Sequence, residues 1–182
     1  MKGEQQEIRQ ASGKVGADVK KEHKDSLRGL LNKMSKGTIP KNAFGLTDAM
    51  VEGIYGQAYR LYNTGKYQDA IQVFRLLVMI NAMEKKYVMG LAACFHMMKK
   101  YSNAAETYSI VAVMDPQNPI PFYHASDCFV QIGDVVGALV SLESAVKRCG
   151  DKPEFSVLKG RALLSIESLK KEIEKKAKIN NL

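Results

Sequence analysis

The chain contains a segment that occurs three times at a spacing of 34 residues. Residues 65–70, 99–104 and 133–138 align with one another, and small and aromatic side chains on both sides keep the same offsets. The aligned flanking residues are Ala58, Ala92 and Ser126, then Leu61, Phe95 and Phe129, then Phe74, Tyr108 and Leu142. This period predicts stacked pairs of α-helices, which bind peptides more often than they catalyse reactions.

A 34-residue period with this pattern is typical of tetratricopeptide (TPR) repeats. We therefore expect an all-α fold, with three tandem TPR helix-turn-helix repeats in a right-handed superhelix, an N-terminal helix and a C-terminal capping helix. The predicted repeat helices cover residues 48–63, 67–81, 85–98, 101–114, 121–132 and 135–148. Thr47 is the expected N-cap of the first.

The sequence divides into four predicted regions. Residues 1–22 form a disordered basic tail, and residues 23–45 form a short helix and connector. Residues 46–153 form the TPR domain, with repeats at about 51–84, 85–118 and 119–152, and residues 154–182 form the capping helix and a tail. Repeat three is the most divergent copy, since Val135 replaces an aromatic residue and Gly137 costs a helix about 1 kcal/mol relative to alanine.

Apolar stripes predict how the N-terminal helix and the capping helix pack. One short helix is unstable alone, so its stripe must pack on the repeats or on a second copy of the chain. That stripe consists of Leu27, Leu30, Leu31 and Met34. The capping helix is expected to cover repeat three with Phe155, Leu158, Leu163, Ile166, Leu169 and Ile173.

The net charge of +8 lies in the tails. Residues 1–41 contribute +5 and residues 170–178 contribute +3, so the repeats are neutral. A nucleic-acid groove concentrates basic residues on the folded surface, and we expect no nucleic-acid partner. The polar N-terminus predicts no secretory signal, and no apolar run is long enough for membrane insertion.

The inner wall of a TPR array is built by positions 2, 5, 9 and 12 of the first helix in each repeat. These positions are mostly aromatic or apolar here, which favours an extended apolar segment as the ligand. Alternatively, the N-terminal segment or a dimer partner covers the tyrosines. The wall positions are Glu52, Tyr55, Tyr59 and Tyr62, then Lys86, Met89, Ala93 and His96, then Ile120, Tyr123, Asp127 and Val130.

Sequence motifs argue against an enzyme. The three histidines do not form HExxH, and no GxSxG, GxGxxG or GxxxxGK[ST] is present. Cys94, Cys128 and Cys149 are expected to be buried free thiols, with a disulfide or a metal pair as the alternative. We predict no catalytic residue, no metal and no cofactor.

Several runs resemble the class II chaperones of bacterial type III secretion, the translocator chaperones. They are residues 54–67 (IYGQAYRLYNTGKY), 87–94 (YVMGLAAC) and 115–128, which includes PFYHASDC. The resemblance covers about residues 24–175. It implies a bacterial cytoplasmic chaperone that keeps hydrophobic translocator proteins soluble and competent for export.

The resemblance also implies residues for each contact. The groove takes an extended Pro-x-Leu-x-x-Pro-like segment, and the helix carrying Leu27, Leu30, Leu31 and Met34 mediates homodimerisation. Two alternatives remain open: a generic TPR scaffold linking soluble proteins, and a regulator that uses its basic tails on nucleic acid. The expected groove residues are Tyr55, Tyr59, Tyr62, Tyr67, Tyr87, Met89, Ala93, His96 and Tyr123.

Overall fold

The structure is a computed structural model that describes residues 45–180. The predicted tail 1–22, the predicted N-terminal helix and its residues Leu27, Leu30, Leu31 and Met34 lie outside the described residues. Within the described range there are seven α-helices, a 3₁₀ turn at Pro153–Phe155 and no strand. The helices are α1 Asp48–Asn63, α2 Tyr67–Ile80, α3 Lys85–Met97, α4 Tyr101–Met114, α5 Pro119–Gln131, α6 Val135–Cys149 and α7 Ser156–Asn180.

Each helix packs against the next one along the chain. Helices α1, α3 and α5 are the first helices of the three repeats and are called the A helices; α2, α4 and α6 are the B helices. Helix α7 packs on α6. The all-α fold of three TPR repeats and a capping helix is therefore confirmed.

Small residues lie where the A and B helices cross. Ala58, Ala92 and Ala138 are fully buried, as are Ala70 and Ala104. A larger side chain would separate the helices, because protein interiors leave little free volume. At the contact between repeats one and two even a methyl group does not fit: a Cβ added to Gly90 would collide with the buried ring of Phe74.

The turns between A and B helices have one repeated geometry. Gly65, Lys99 and Gly133 occupy equivalent positions and all have positive φ, at 75°, 58° and 79°. In the first repeat Lys66 N donates to Leu61 O over 2.9 Å and Gly65 N donates to Tyr62 O over 3.0 Å. The other two turns contain the same pair of bonds. This is the Schellman C-cap, which satisfies carbonyls at a helix end.

The first helix of repeat three begins two residues earlier than predicted. Helix α5 starts at Pro119 rather than at residue 121, because proline is well tolerated in the first helical turn, where its missing N–H has no helical partner. Asn118 caps the helix by accepting from Ile120 N over 3.0 Å. Pro116 thus lies between α4 and α5, as expected, whereas Pro119 is the first residue of the new helix.

Gly137 is also better placed than expected. It lies in the first turn of α6, where its N–H donates to the carboxylate of the N-cap residue Asp134 over 2.8 Å. An added Cβ would collide with that carboxylate and would lie 3.0 Å from the ring of Phe129. The predicted cost of glycine relative to alanine is therefore wrong at this position, since alanine has no free space there.

The packed face of α7 differs in part from the predicted stripe. Ala162 and Leu169 are buried and Ile166 packs with them against Leu142 of α6. Leu163 is 49% exposed and Ile173 is 42% exposed, so neither is a core residue. The sequence pattern pointed to the wrong face of α7. The buried face contains Ala162, whose small side chain adds little to a hydrophobic pattern.

The repeated turn predicts the effect of one substitution. Lys99 is the only described non-glycine residue with positive φ, a conformation that costs an L-residue about 1–2 kcal/mol. We expect Lys99→Gly to stabilise the fold by about 0.5–1 kcal/mol after the entropic cost of glycine is subtracted. Lys147→Gly, inside α6, is the matched control and should destabilise by about 1 kcal/mol. Urea denaturation measures both, and equal losses would contradict the prediction.

Candidate peptide-binding groove

The predicted wall residues lie on one accessible side of the A helices. None of the twelve is buried, whereas the aligned interior residues Ala58, Ala92 and Ser126 have at most 1% exposure. Ring contacts between α1 and α3, and between α3 and α5, connect this side across all three repeats. The 34-residue period therefore places equivalent side chains on one continuous surface, which we call the groove wall.

Tyrosines form the wall of repeat one. Tyr55 stacks on Tyr59 with ring centroids 6.4 Å apart, and it contacts Phe74 edge-on at 6.2 Å. Tyr55 also lies 5.7 Å from the ring of Tyr87 on α3. Tyr59 is 54% exposed, whereas Tyr87 is 5% exposed. Tyr59 thus offers a free aromatic face, and Tyr87 supports Tyr55 from behind.

One ion pair connects the first wall positions of repeats one and two. Lys86 Nζ lies 2.7 Å from Glu52 Oε2, and these residues are one repeat apart in the sequence. The ammonium also lies 4.6 Å from the centroid of the Tyr55 ring. A hydrogen bond to Glu52 raises the pKa of Lys86 above its usual value. The two charges cancel, so this part of the wall has no net charge.

The middle of the wall is a second aromatic cluster. Tyr62 contacts Tyr67 at 5.5 Å, and His96 contacts Tyr101 at 5.9 Å and His124 at 6.3 Å. The ring of His124 stacks on that of buried Tyr108 at 5.3 Å. Burial, and secondarily the neighbouring His96, lower the pKa of His124 below its usual value. His124 therefore remains neutral at neutral pH.

A cavity of about 380 Å³ opens at the far end of the wall, between α5 and α7. This size lies within the range of about 300–1,000 Å³ that is usual for ligand pockets. Its polar lining comes from His96, Ser126, Asp127, Gln131, Ser165 and Ser168. Its apolar lining comes from Tyr101, Val130, Leu142 and Leu169.

Burial holds the hydroxyls of two wall tyrosines, and of Tyr87 beside them, in the neutral form. Burial raises the pKa of Tyr62, of Tyr87 and of Tyr123 above the usual value for tyrosine. A neutral phenol can donate a hydrogen bond to a peptide carbonyl and accept one from a peptide N–H. The wall therefore combines apolar area with groups that suit an extended backbone.

The cysteines are buried free thiols, as predicted. Burial raises the pKa of Cys94 and of Cys128 to about 12, so neither supplies a thiolate at neutral pH. Among the described residues no group of three or more His, Cys, Asp or Glu side chains could hold a metal ion. The Cys94 thiol is therefore a poor nucleophile.

The structure brings the expected groove residues into two connected groups. Tyr55, Tyr59 and Tyr87 form one, and His96 belongs to the other, which it joins to His124 and Tyr123 on α5. Tyr62 and Tyr67 lie in contact with each other at the turn of repeat one. Met89 and Ala93 are half-buried on α3.

Sequence reasoning missed the cavity. Asp127 carried a signal, because it occupies the wall position equivalent to Tyr59 and Ala93. Ser165 and Ser168 carried none, since they lie beyond the last repeat and their place depends on how α7 packs. Tyr101, which is not one of the predicted wall positions, also lines this cavity.

Comparison with known proteins agrees with the geometry. The tetratricopeptide repeat model matches residues 51–82 and 86–118, which are the first two repeats. Low calcium response locus protein H of Yersinia pseudotuberculosis is 36% identical over 126 residues, which are 68% of this chain and 75% of that protein. A solved structure of the Yersinia enterocolitica type III secretion translocator chaperone SycD, in an alternative dimer, is 32% identical with a TM-score of 0.67. That match covers 71% of this chain and 98% of SycD.

The chain belongs to the type III secretion translocator chaperones. A second structure from this family, SycD with a peptide of the translocator YopD, is 33% identical and has a TM-score of 0.67, covering 70% of this chain and 98% of that one. The three repeats make up most of the residues that the structure describes. Within the described residues, no helix has both the length and the apolar character needed to cross a membrane.

The lowered pKa of His124 predicts a pH dependence. Below about pH 6.5 the unfolded chain binds a proton at this histidine that the folded chain resists, so stability falls as pH falls. His124→Phe retains the ring on Tyr108 and removes the titration. Between pH 7.5 and 5.5 we expect the wild type to lose on the order of 1 kcal/mol more than the variant. Urea denaturation at both pH values measures this, and parallel losses would rule it out.

Proposed function

We propose that this translocator chaperone binds an extended apolar segment of hydrophobic translocator proteins along its groove wall. The bound segment is of the Pro-x-Leu-x-x-Pro kind, and the chaperone keeps the translocator soluble and competent for export in the bacterial cytoplasm. The relative SycD, solved with a peptide of the translocator YopD, supports this choice of client. The chain acts by binding and not as an enzyme.

The observation that carries the proposal is the composition of the accessible wall. Its accessible groups are mainly tyrosine rings and apolar side chains, and the charges of Glu52 and Lys86 neutralise each other. Asp127, at the end formed by repeat three, is the one further charged wall residue. A wall of this kind fits apolar side chains and a backbone, and it offers no cluster of free cations for a C-terminal carboxylate. Apolar anchors of the client would fill the spaces between the rings.

The expected affinity suits a carrier that must release its cargo. Two or three proline or leucine anchors contribute about 1.5–3 kcal/mol each when buried. Ordering the peptide and losing its free motion offset part of this gain. The remainder corresponds to a dissociation constant on the order of micromolar for the isolated segment. Tighter retention of a whole translocator requires further contacts.

Truncating the most exposed ring of the wall tests the groove. Tyr59→Ala should weaken binding of a synthetic Pro-x-Leu-x-x-Pro peptide by at least about fivefold, because interface tyrosines commonly contribute 1 kcal/mol or more. Leu76→Ala is the matched control: Leu76 is exposed on the B helix α2, away from the wall, and its loss should leave affinity unchanged. Isothermal titration measures both, with circular dichroism as the check on folding.

A co-expression experiment addresses the client itself. The chain should retain in solution a translocator that has two predicted membrane segments and that aggregates when expressed alone. A generic scaffold for soluble proteins would fail to do so. Unchanged peptide affinity in a folded Tyr59→Ala variant would argue against the groove, and steeply salt-dependent nucleic-acid binding would favour the regulator hypothesis.

We also propose a homodimer formed through the segment that carries Leu27, Leu30, Leu31 and Met34, because an amphipathic helix of this length needs a partner surface. The SycD structure in an alternative dimer is consistent with dimerisation in the family. Leu30→Asp should convert the chain to a monomer in light scattering after size exclusion. Ser26→Asp adds the same charge beside the stripe and should leave the dimer intact; a dimer in both variants would contradict the assignment.

A further inference from the structure

The cavity at the α5–α7 end of the groove contains a carboxylate without a counterion. Asp127 is half-buried and lines the cavity, and it makes no hydrogen bond or ion pair with any other residue that the structure describes. Burial raises the pKa of this carboxyl, and His96 offsets part of that rise. Arg161 of α7 acts on the Tyr123 hydroxyl rather than on Asp127.

Asp127 is only half-buried, so its carboxylate retains some contact with water, but partial burial still makes a cationic partner favourable. The cavity leaves room for the missing partner, since its volume of about 380 Å³ corresponds to roughly a dozen water molecules at about 30 Å³ each. His96 and Asp127 belong to both the cavity lining and the groove wall, so the cavity adjoins the surface on which we place the client.

The rest of the lining determines which ligand group fits. Leu142, Leu169 and Val130 form the apolar part of the cavity lining, and Ser165 and Ser168 add hydroxyls to its polar part. An acidic side chain would be repelled by Asp127, and a purely apolar one would leave the carboxylate unpaired. A lysine or arginine side chain fits both the apolar lining and the carboxylate, because its methylene stem packs on apolar surface while its charged end pairs with a carboxylate.

We propose that this cavity is a subsite for a basic side chain of the bound translocator segment, with Asp127 as its counterion. The inference rests on the proposed function and adds to it a polar anchor at one end of the apolar groove. Lysine or arginine beside the Pro-x-Leu-x-x-Pro-like core would then fix the direction in which the segment lies, because only this end of the wall has a free acid.

Four synthetic peptides test the subsite on the full chain. All share one Pro-x-Leu-x-x-Pro core; a lysine or a norleucine stands two residues before the core or two residues after it. At one of these two positions, the peptide with lysine should bind about tenfold more tightly than the peptide with norleucine, a difference of about 1.4 kcal/mol in binding free energy. Isothermal titration at pH 7.5 and constant salt measures the four affinities.

Two variants assign the preference to Asp127. Asp127→Asn should abolish the lysine preference. Glu106→Gln removes the same charge from an exposed site on the B helix α4 and should retain the preference. Ser168→Ala, which keeps the charge and removes a cavity hydroxyl, should also retain most of it.

The outcomes separate this subsite from the groove itself. If none of the four peptides binds, the proposed function fails. If all four bind with equal affinity, or if the lysine preference survives in Asp127→Asn, the groove stands and the subsite is wrong.

Discussion

The close approach of paired helices at buried small residues governs the rest of this molecule. Ala58, Ala92 and Ala138 have no measurable exposure, and each lies where an A helix crosses a B helix. Their size sets the distance between helices, and that distance fixes the angle at which each repeat meets the next. Because the three repeats share this spacing, side chains separated by 34 residues face the same way.

The groove wall follows from this regular spacing of the helices. Tyr55, Met89 and Tyr123 occupy the same position in successive repeats, and their side chains remain accessible while their neighbours pack inward. The aromatic contacts that join α1 to α3 and α3 to α5 then make the wall one surface. Apolar area on such a rigid support can bind a flexible segment without reorganising, so little of the binding free energy is lost to ordering the chaperone.

Sequence reasoning succeeded where the repeat pattern acts and failed where local geometry decides. The period alone located α1 and α4 to the residue, because caps and turns recur with it. It misplaced the start of α5, since Pro119 both ends one segment and begins the next. The phase of α7 and the cavity beside Asp127 could not be read from the pattern, because they depend on the packing of a helix outside the repeats. The left-handed turn at Lys99 was equally hidden, since lysine rarely adopts that conformation.

The bond between Glu52 and Lys86 has a consequence for selectivity. Because it joins equivalent positions one repeat apart and cancels both charges, this part of the groove wall favours neither an acidic nor a basic side chain. Binding of a client segment at these positions then depends on its shape and on the exclusion of water from apolar contacts. On the proposed function, client segments that differ in charge at these positions would compete for the same site, and their relative abundance would help to decide which one is bound.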